Sequence, residues 1–324
     1  MAALTSAAPT LPPTERIYLS YEGCFCLNLE SAKLLSYTIT SSVDAAAETS
    51  KDDTYAETTN SPVTVDLIFD RTPFHPQGGG QPSDIGFIFD NISNASFKVS
   101  LMMASTSAAP SSSLPSPTSS SLFKPPSPPS PPQVTKCSFS FSTNLVTHHC
   151  VYEEGQPSFD LDGDNSWKLS VDEETRLLYS KYHSAGHLVD SAMYRLGYEL
   201  PPEKGYHFLD GPYVEYRGAI AAEKREELVT KLKEEFVKLC NEDIPTTICM
   251  MAKEEAEKEL NRTQKNFDFE VFSDPEVRIV GVADFRCPCG GTHVHSTKEL
   301  EDFTVTGLKV KKGKTKVKYD RIKK

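Results

Sequence analysis

Two histidines, His183 and His187, stand four residues apart in a segment that reads as helix. At about 100° per residue they share one face, one turn apart, so both imidazoles can reach a single ion. Such a pair alone is weak evidence, because most histidines at this spacing are packed or solvated. A second pair strengthens it. Cys289 and His293 lie in the stretch Cys289-Gly290-Gly291-Thr292-His293, where two glycines allow a tight turn that brings thiolate and imidazole to one point. Three imidazoles and a thiolate form a borderline-soft N/S set suited to one Zn²⁺ per chain. A zinc protease would need Glu directly after the first His as general base. That position is Ser184, which counts against peptide hydrolysis.

Holding these groups requires a helix and a loop anchored to a sheet. The pattern predicts a helix from Val171 to about Leu196, with Asp172, Glu173 and Glu174 as an acidic first turn. A second helix is expected from about Ala219 to Leu239, with Leu228, Leu232 and Phe236 along one stripe. Strands are expected near Thr246–Met250 and Val277–Val282, with a charged helical piece, Lys253–Leu260, between them. Thr304–Leu308 and Lys314–Tyr319 are candidates to close the sheet, making residues 171–324 an α+β domain. Residues 14–170 read as β-rich instead. Val63, Val65, Leu67 and Phe69 alternate, as do Ile85, Phe87 and Phe89, and then Cys137, Phe139 and Phe141. Two stretches look like grown loops in that domain: the acidic segment 41–61, and residues 104–133, which hold 11 Ser, 9 Pro and a single charge, Lys124. Residues 1–13 read as a disordered tail.

Composition narrows the setting. The chain has 324 residues, with 34 Lys+Arg against 45 Asp+Glu and a net charge of −11, which argues against blanket nucleic-acid coating. The C-terminal stretch Leu308–Lys324 departs from this, with eight Lys and one Arg against Asp320. That asymmetry suits RNA phosphates, and it equally suits a solvated hairpin edge kept from aggregating by lysine. No apolar run approaches the roughly 20 residues of a membrane helix, and the first basic residue is Arg16, so neither a membrane span nor a signal is expected. Eight cysteines in this length are too sparse for a disulfide scaffold, so a reduced, cytoplasmic protein is expected. His148, His149 and Cys150 are adjacent in a strand pattern and must point to opposite faces; they read as structural, as does His207.

His183-Ser-Ala-Gly-His187, followed about a hundred residues later by Cys289-Gly-Gly-Thr-His293, resembles the editing domain of alanyl-tRNA synthetases, which the AlaX-type alanyl-tRNA editing proteins share. Asp70-Arg-Thr-Pro-Phe-His-Pro-Gln-Gly-Gly-Gly-Gln81 resembles the family's Gly-rich motif, and Asp284-Phe285 also fits. The resemblance covers nearly the whole chain outside the insertions and the tail. It implies an N-terminal β-barrel-like domain followed by an α+β editing domain with a zinc site, and, with no room for an aminoacylation domain, a freestanding editor. Two departures stand out: His75 where the family usually has Tyr, and Cys287, a second thiol that could compete with Cys289.

What the resemblance implies is hydrolysis of the ester joining a wrong amino acid, chiefly serine, to alanine tRNA. The physical need is plain, since a pocket that accepts alanine cannot strongly exclude a small analogue with one added hydroxyl. Thr72 matches the residue associated with reading that hydroxyl, and Gln81 is carried over by the motif. Gly78, Gly79 and Gly80 would let the backbone approach substrate and offer N–H groups to an oxyanion. Four protein ligands leave no open position on zinc unless coordination expands, which favours orientation and electrostatic help over a simple zinc hydroxide. The alternatives are a non-catalytic, zinc-stabilised tRNA-binding protein and the same chemistry on mischarged threonine tRNA. Mischarged tRNA is the expected partner, with no DNA and no membrane, and a monomer is the simplest expectation.

Overall fold

Val65, Leu67 and Phe69 are fully buried while Thr64, Asp66 and Ile68 between them are not, as a half-buried strand requires. The structure is a computed structural model and describes residues 10–40, 63–90, 133–152, 159, 161, 165–261 and 274–323. The tail at 1–9, the acidic stretch 41–61 and all of the Ser/Pro tract but Gln133 lie outside the described residues. A short parallel pair, β1 (Glu15–Arg16) and β4 (Arg71–Thr72), flanks a closed barrel. The barrel strands are β2 (Asn28–Thr40), β3 (Val63–Phe69), β5 (Gly86–Asp90), β6 (Gln133–Ser140), β7 (Leu145–Tyr152) and β8 (Ser166–Val171). They close in the order β2-β3-β7-β6-β5-β8, with β8 pairing back onto β2. A single turn of helix, α1 (Tyr21–Cys24), precedes the barrel.

Two alternation patterns differ from expectation. Along β5 it is Ile88 that is buried, while Phe87 is 39% exposed. Gly86 sets this parity: a side chain there would meet the Ser170 carbonyl at 2.2 Å, so the odd-numbered residues face outward. Phe141 is 88% exposed, because β6 ends at Ser140 and the chain turns there.

The long helix α2 spans Glu173–Arg195. Val171 ends β8 instead of opening the helix, and Asp172 is the cap, its carboxylate accepting from the Thr175 amide at 2.9 Å. The next helix, α3, runs Arg225–Asn241 and begins later than the pattern suggests. Residues before it are held against the sheet, with the Ile220 amide donating to Thr315 Oγ1 at 3.2 Å and its carbonyl accepting from Arg225. Strands β9 (Pro202–Tyr206) and β10 (Tyr213–Arg217) were not anticipated. They join the hairpin β14 (Phe303–Lys311) and β15 (Lys314–Arg321) in a four-stranded sheet, order β14-β15-β10-β9. The hairpin therefore does not close the sheet of β11 (Thr247–Ala252), β12 (Glu276–Val282) and β13 (Phe285–Pro288), which stands apart with helix α4 (Lys253–Leu260) against it. Leu188 and Met193 of α2, Leu232 and Phe236 of α3, and Val317 and Tyr319 of β15 share one apolar core.

The barrel and this α+β part meet around a buried ion pair. Arg176 of α2 donates to Asp84 through Nε at 3.0 Å and Nη2 at 2.5 Å, and also to the carbonyls of Pro73 and Cys24. The two side chains are 4% and 0% exposed. Asp84 also accepts the His75 amide at 2.6 Å, so each nitrogen of the guanidinium and each oxygen of the carboxylate has at least one partner. Removing one partner of such a pair strands a buried charge and is expected to cost about 3–5 kcal/mol. Asp84→Ala and Arg176→Met should each lower the free energy of urea unfolding by that order, with the double variant losing less than the two single losses combined. Additive losses would show that the pair is not the link between the two parts.

Candidate metal centre

One turn of α2 separates His183 from His187, and their rings lie nearly parallel with centroids 5.0 Å apart. The chain leaving β13 passes Cys289 and returns His293 to the same place. Cys289 Sγ lies 3.4 Å from Nε2 of both His183 and His293. One donor atom from each of His183, His187, Cys289 and His293 falls within 4.8 Å of the others. The structure thus brings together residues that are a hundred positions apart in the chain.

Each imidazole is oriented through its other nitrogen. His183 Nδ1 meets Gln81 Oε1 at 2.6 Å, His293 Nδ1 meets Ser184 Oγ at 3.0 Å, and His187 Nδ1 meets Cys287 Sγ at 3.2 Å. With Nδ1 engaged, Nε2 carries the lone pair, as metal-ligating histidines require. Burial pushes all three histidines below their ordinary range, His187 to about 4, so they stay neutral and available as ligands. The buried His187 Nε2 has no hydrogen-bond partner. An orphaned imidazole nitrogen converging on a thiol and two further Nε2 atoms fits a divalent ion of zinc-like softness. Cys287 lies behind His187, on its Nδ1 side, and is not in the four-residue cluster that holds Cys289. His295 is exposed, and its ring stacks on Phe25 at 3.6 Å, away from the cluster.

Gln81 ties the Gly-rich loop to this centre. Its Oε1 also accepts the Thr292 amide at 3.0 Å, and its Nε2 donates to Thr292 Oγ1 at 2.8 Å, which in turn meets Ser180 at 2.7 Å. Gly291 is needed for this closeness: a Cβ there would lie 2.1 Å from the His183 ring. Gly78 and Gln81 exchange backbone hydrogen bonds at 3.2 and 2.9 Å, closing a tight turn. The Gly78 amide is therefore already engaged, and Gly79 and Gly80, both at positive φ, form the tip. Thr72 is elsewhere. It is fully buried in the barrel, with its hydroxyl held by His148 Nε2 at 2.8 Å and by the Phe74 amide at 3.1 Å.

His148 and His207 thus carry more than the sequence suggested. His148 points into the barrel and bonds Thr72, while its neighbour His149 faces outward to Asp66 and Ser138. His207 packs on His183 with centroids 4.4 Å apart, donates Nδ1–H to Tyr319, and its amide bonds the Gly80 carbonyl at 2.9 Å. A signal for it existed. Gly186 sits inside a helix, where glycine costs roughly 1 kcal/mol against alanine, and a Cβ there would lie 2.4 Å from the His207 ring. Asp190, one turn beyond His187, is raised by burial to about 7 although Tyr216 donates to it at 2.6 Å. Asp284 pairs with Arg195 at the end of α2. A cavity of about 150 Å³, lined in part by His293, Ser180, Arg176 and Phe25, borders the centre.

The fold and site define a barrel joined to an α+β unit that carries a three-histidine, one-cysteine centre at their junction. Residues 277–324 match the family described as the threonyl and alanyl tRNA synthetase second additional domain. The chain is 23% identical to the alanyl-tRNA editing protein AlaX-M of Methanosarcina acetivorans over 79% of its own length and 86% of that protein. It is 25% identical to the alanine–tRNA ligase of Mycoplasma mycoides over 76% of its length, and 34% identical to that of Mesoplasma florum over 44%. It spans about a fifth of the length of the first of these ligases, 22%, and 16% of the second. The chain is thus similar to the AlaX-type alanyl-tRNA editing proteins and to part of the alanine–tRNA ligases.

Metal analysis of the purified protein is expected to find close to one zinc per chain, lost in His187→Ala and Cys289→Ala and kept in Cys287→Ser. An empty Cys287→Ser protein would move the thiolate role to Cys287. The barrel carries its own pH dependence. Burial lowers His148 and His75 to about 4, so between pH 6.5 and 4 the unfolded chain binds protons that the folded chain refuses. Stability is therefore lost as pH falls through that window, by up to about 3 kcal/mol per histidine. Unfolding free energies of His148→Gln should show a shallower acid slope than wild type. An identical slope would mean that His148 does not titrate this way.

Proposed function

We propose that this chain hydrolyses the ester between an amino acid and the terminal ribose of alanine tRNA, acting chiefly when the amino acid is serine. The observation that carries this function is the bond between Gln81 and His183. It joins the Gly-rich turn to the metal centre, so an ester lying between them would meet both at once. Similarity over most of an editing protein's length points the same way.

A zinc ion held by His183, His187, Cys289 and His293 would supply Lewis-acid polarisation and electrostatic stabilisation. The protein's own groups position the reaction. Gln81 fixes the His183 ring and the Thr292 backbone, and the exposed turn tip offers the amides of Gly79 and Gly80 to the developing oxyanion. Water adds to the carbonyl carbon and the bond to the ribose oxygen breaks. The amino acid leaves as its carboxylate, and the tRNA regains its terminal hydroxyl. The cavity beside His293 offers room for a small aminoacyl group. Thr72 acts on the loop from behind, since its hydroxyl is already engaged by His148 and Phe74. All eight cysteines are free thiols, and no described helix is long and apolar enough to cross a membrane, which suits action in the cytoplasm.

Zinc-loaded protein is expected to deacylate seryl-tRNA for alanine, to lose this activity with a chelator and to regain it with zinc. Thr72→Val should lower the melting temperature, because it leaves His148 and the Phe74 amide unpaired at a cost of about 1–3 kcal/mol, while keeping the preference for serine over alanine esters. tRNA binding without turnover would instead identify a zinc-stabilised binding protein. Equal or faster cleavage of seryl-tRNA for threonine would transfer the activity to that tRNA.

A further inference from the structure

One imidazole outside the four-residue cluster touches both parts of the site. His207 directly follows β9, and its ring lies against that of His183 with centroids 4.4 Å apart and 25° between planes. Its backbone amide donates to the Gly80 carbonyl at 2.9 Å. The peptide that carries this carbonyl is held at its other end too, since the Gln81 amide donates to the Gly78 carbonyl at 2.9 Å. Pinned twice, that peptide gives the tip formed by Gly79 and Gly80 a fixed base.

The ring is set as firmly as the amide. Tyr319 donates its hydroxyl proton to the Tyr182 carbonyl at 2.9 Å, so Nδ1–H of His207 is the donor in their 2.6 Å contact. Tyr182 immediately precedes His183, which places this anchor beside the ring that His207 covers. Three elements each leave room for it with a glycine. A Cβ would lie 2.4 Å from the ring at Gly186 of α2, 2.3 Å at Gly205 of β9 and 3.1 Å at Gly80 of the turn. What the ring contributes follows from what Gln81 cannot. A hydrogen bond at Nδ1 fixes the direction of one ring edge but leaves the His183 ring able to tilt about the bond axis. A flat neighbour against its face removes that tilt, and aiming Nε2 is what the groups behind a metal-ligating histidine do.

We infer that His207 is a positioning residue of this site, holding the His183 ring through its face and the tip of the glycine turn through its amide. It ties the four-stranded sheet to the centre, as Gln81 ties the barrel to it. The consequence for turnover rests on the proposed deacylase function; the consequence for metal binding does not.

The full-length protein and the metal alone supply the main test. Zinc affinity, read by competition with a coloured chelator, is expected to fall about tenfold in His207→Ala. It should recover in His207→Asn, whose flat amide keeps a donor where Nδ1 stands. With Co²⁺ in place of Zn²⁺, the visible absorption bands report ligand geometry; they should change shape in His207→Ala and return in His207→Asn. At saturating zinc, kcat for cleavage of seryl-tRNA should fall about tenfold or more in His207→Ala while KM stays near wild type. Melting curves establish that each variant is folded. Where His207→Ala is not, Tyr319→Phe carries the test, because it removes only the hydroxyl that sets the ring, and it should weaken zinc binding and alter the cobalt bands in the same direction. A folded His207→Ala with a lower melting temperature but wild-type zinc affinity and cobalt bands would show a packing residue and overturn the inference. So would His207→Asn no better than His207→Ala, or, where that variant is unfolded, wild-type bands in Tyr319→Phe. Failure of wild type to cleave any mischarged tRNA, with the metal results as expected, would overturn the deacylase function alone.

Discussion

Everything at the junction of the two parts depends on keeping one guanidinium and one carboxylate in a place that water does not reach. Taking both charges out of water carries a penalty of several kcal/mol per ion, repaid only when geometry and additional hydrogen bonds are complete. Arg176 and Asp84 meet that condition, through two donor nitrogens on the carboxylate, the carbonyls of Pro73 and Cys24, and the His75 amide. The consequence is positional. Arg176 lies two turns before His183 on one helix, and Asp84 lies three residues after Gln81. Locking the pair locks the helix that presents two imidazoles against the turn that orients one of them. Arg278 performs a lesser version of the same task, donating to the Leu19 carbonyl on one side and the Cys289 carbonyl at 2.5 Å on the other.

The centre itself is organised by what stands behind the ligands. A neutral imidazole offers only one lone pair, so an inward Nε2 depends on a partner for Nδ1. An amide oxygen, a hydroxyl and a thiol serve His183, His293 and His187 respectively. These partners come from the Gly-rich turn, from α2 and from β13, so each structural unit around the centre sets the direction of one ring. Cys24, from the turn before the barrel, adds a fourth unit by accepting the His293 amide at 3.3 Å.

How much of this was legible depended on whether the signal was local. The His/His and Cys/His pairs were legible because helix pitch and a double glycine are local rules, and the long helix because its acidic first turn sits within one segment. The barrel interior at Val65, Leu67 and Phe69 was legible for the same reason. Strands β9 and β10 were not, because Pro202–Tyr206 holds no apolar alternation and becomes a strand only through pairing with β10. Phe87 misled because three apolar residues at odd positions look like an inner face, whereas backbone packing at Gly86 reverses it. Thr72 shows a different limit. A motif names a residue, but only the fold shows that His148, remote in sequence, already holds its hydroxyl.

The same logic applies to the barrel's two long connections, of which the strand ends are described. The chain leaves β2 at Thr40 and re-enters β3 at Val63, with Thr40 and Thr64 still paired. It leaves β5 at Asp90 and re-enters β6 at Gln133, with Phe87 and Gln133 still paired. Pairing thus runs up to Thr40 and Thr64 at one gate and to Phe87 and Gln133 at the other, and lengthening a flexible loop in general costs only about 0.6 kcal/mol per doubling of length. Neither gate adjoins the turn Gly78–Gln81, whose neighbours on both sides are fixed by buried contacts at His75 and Asp84. The turn lies in the segment where a shift of one ångström would break the bond from Gln81 to His183, and its position is set by those buried contacts and not by the distant gates.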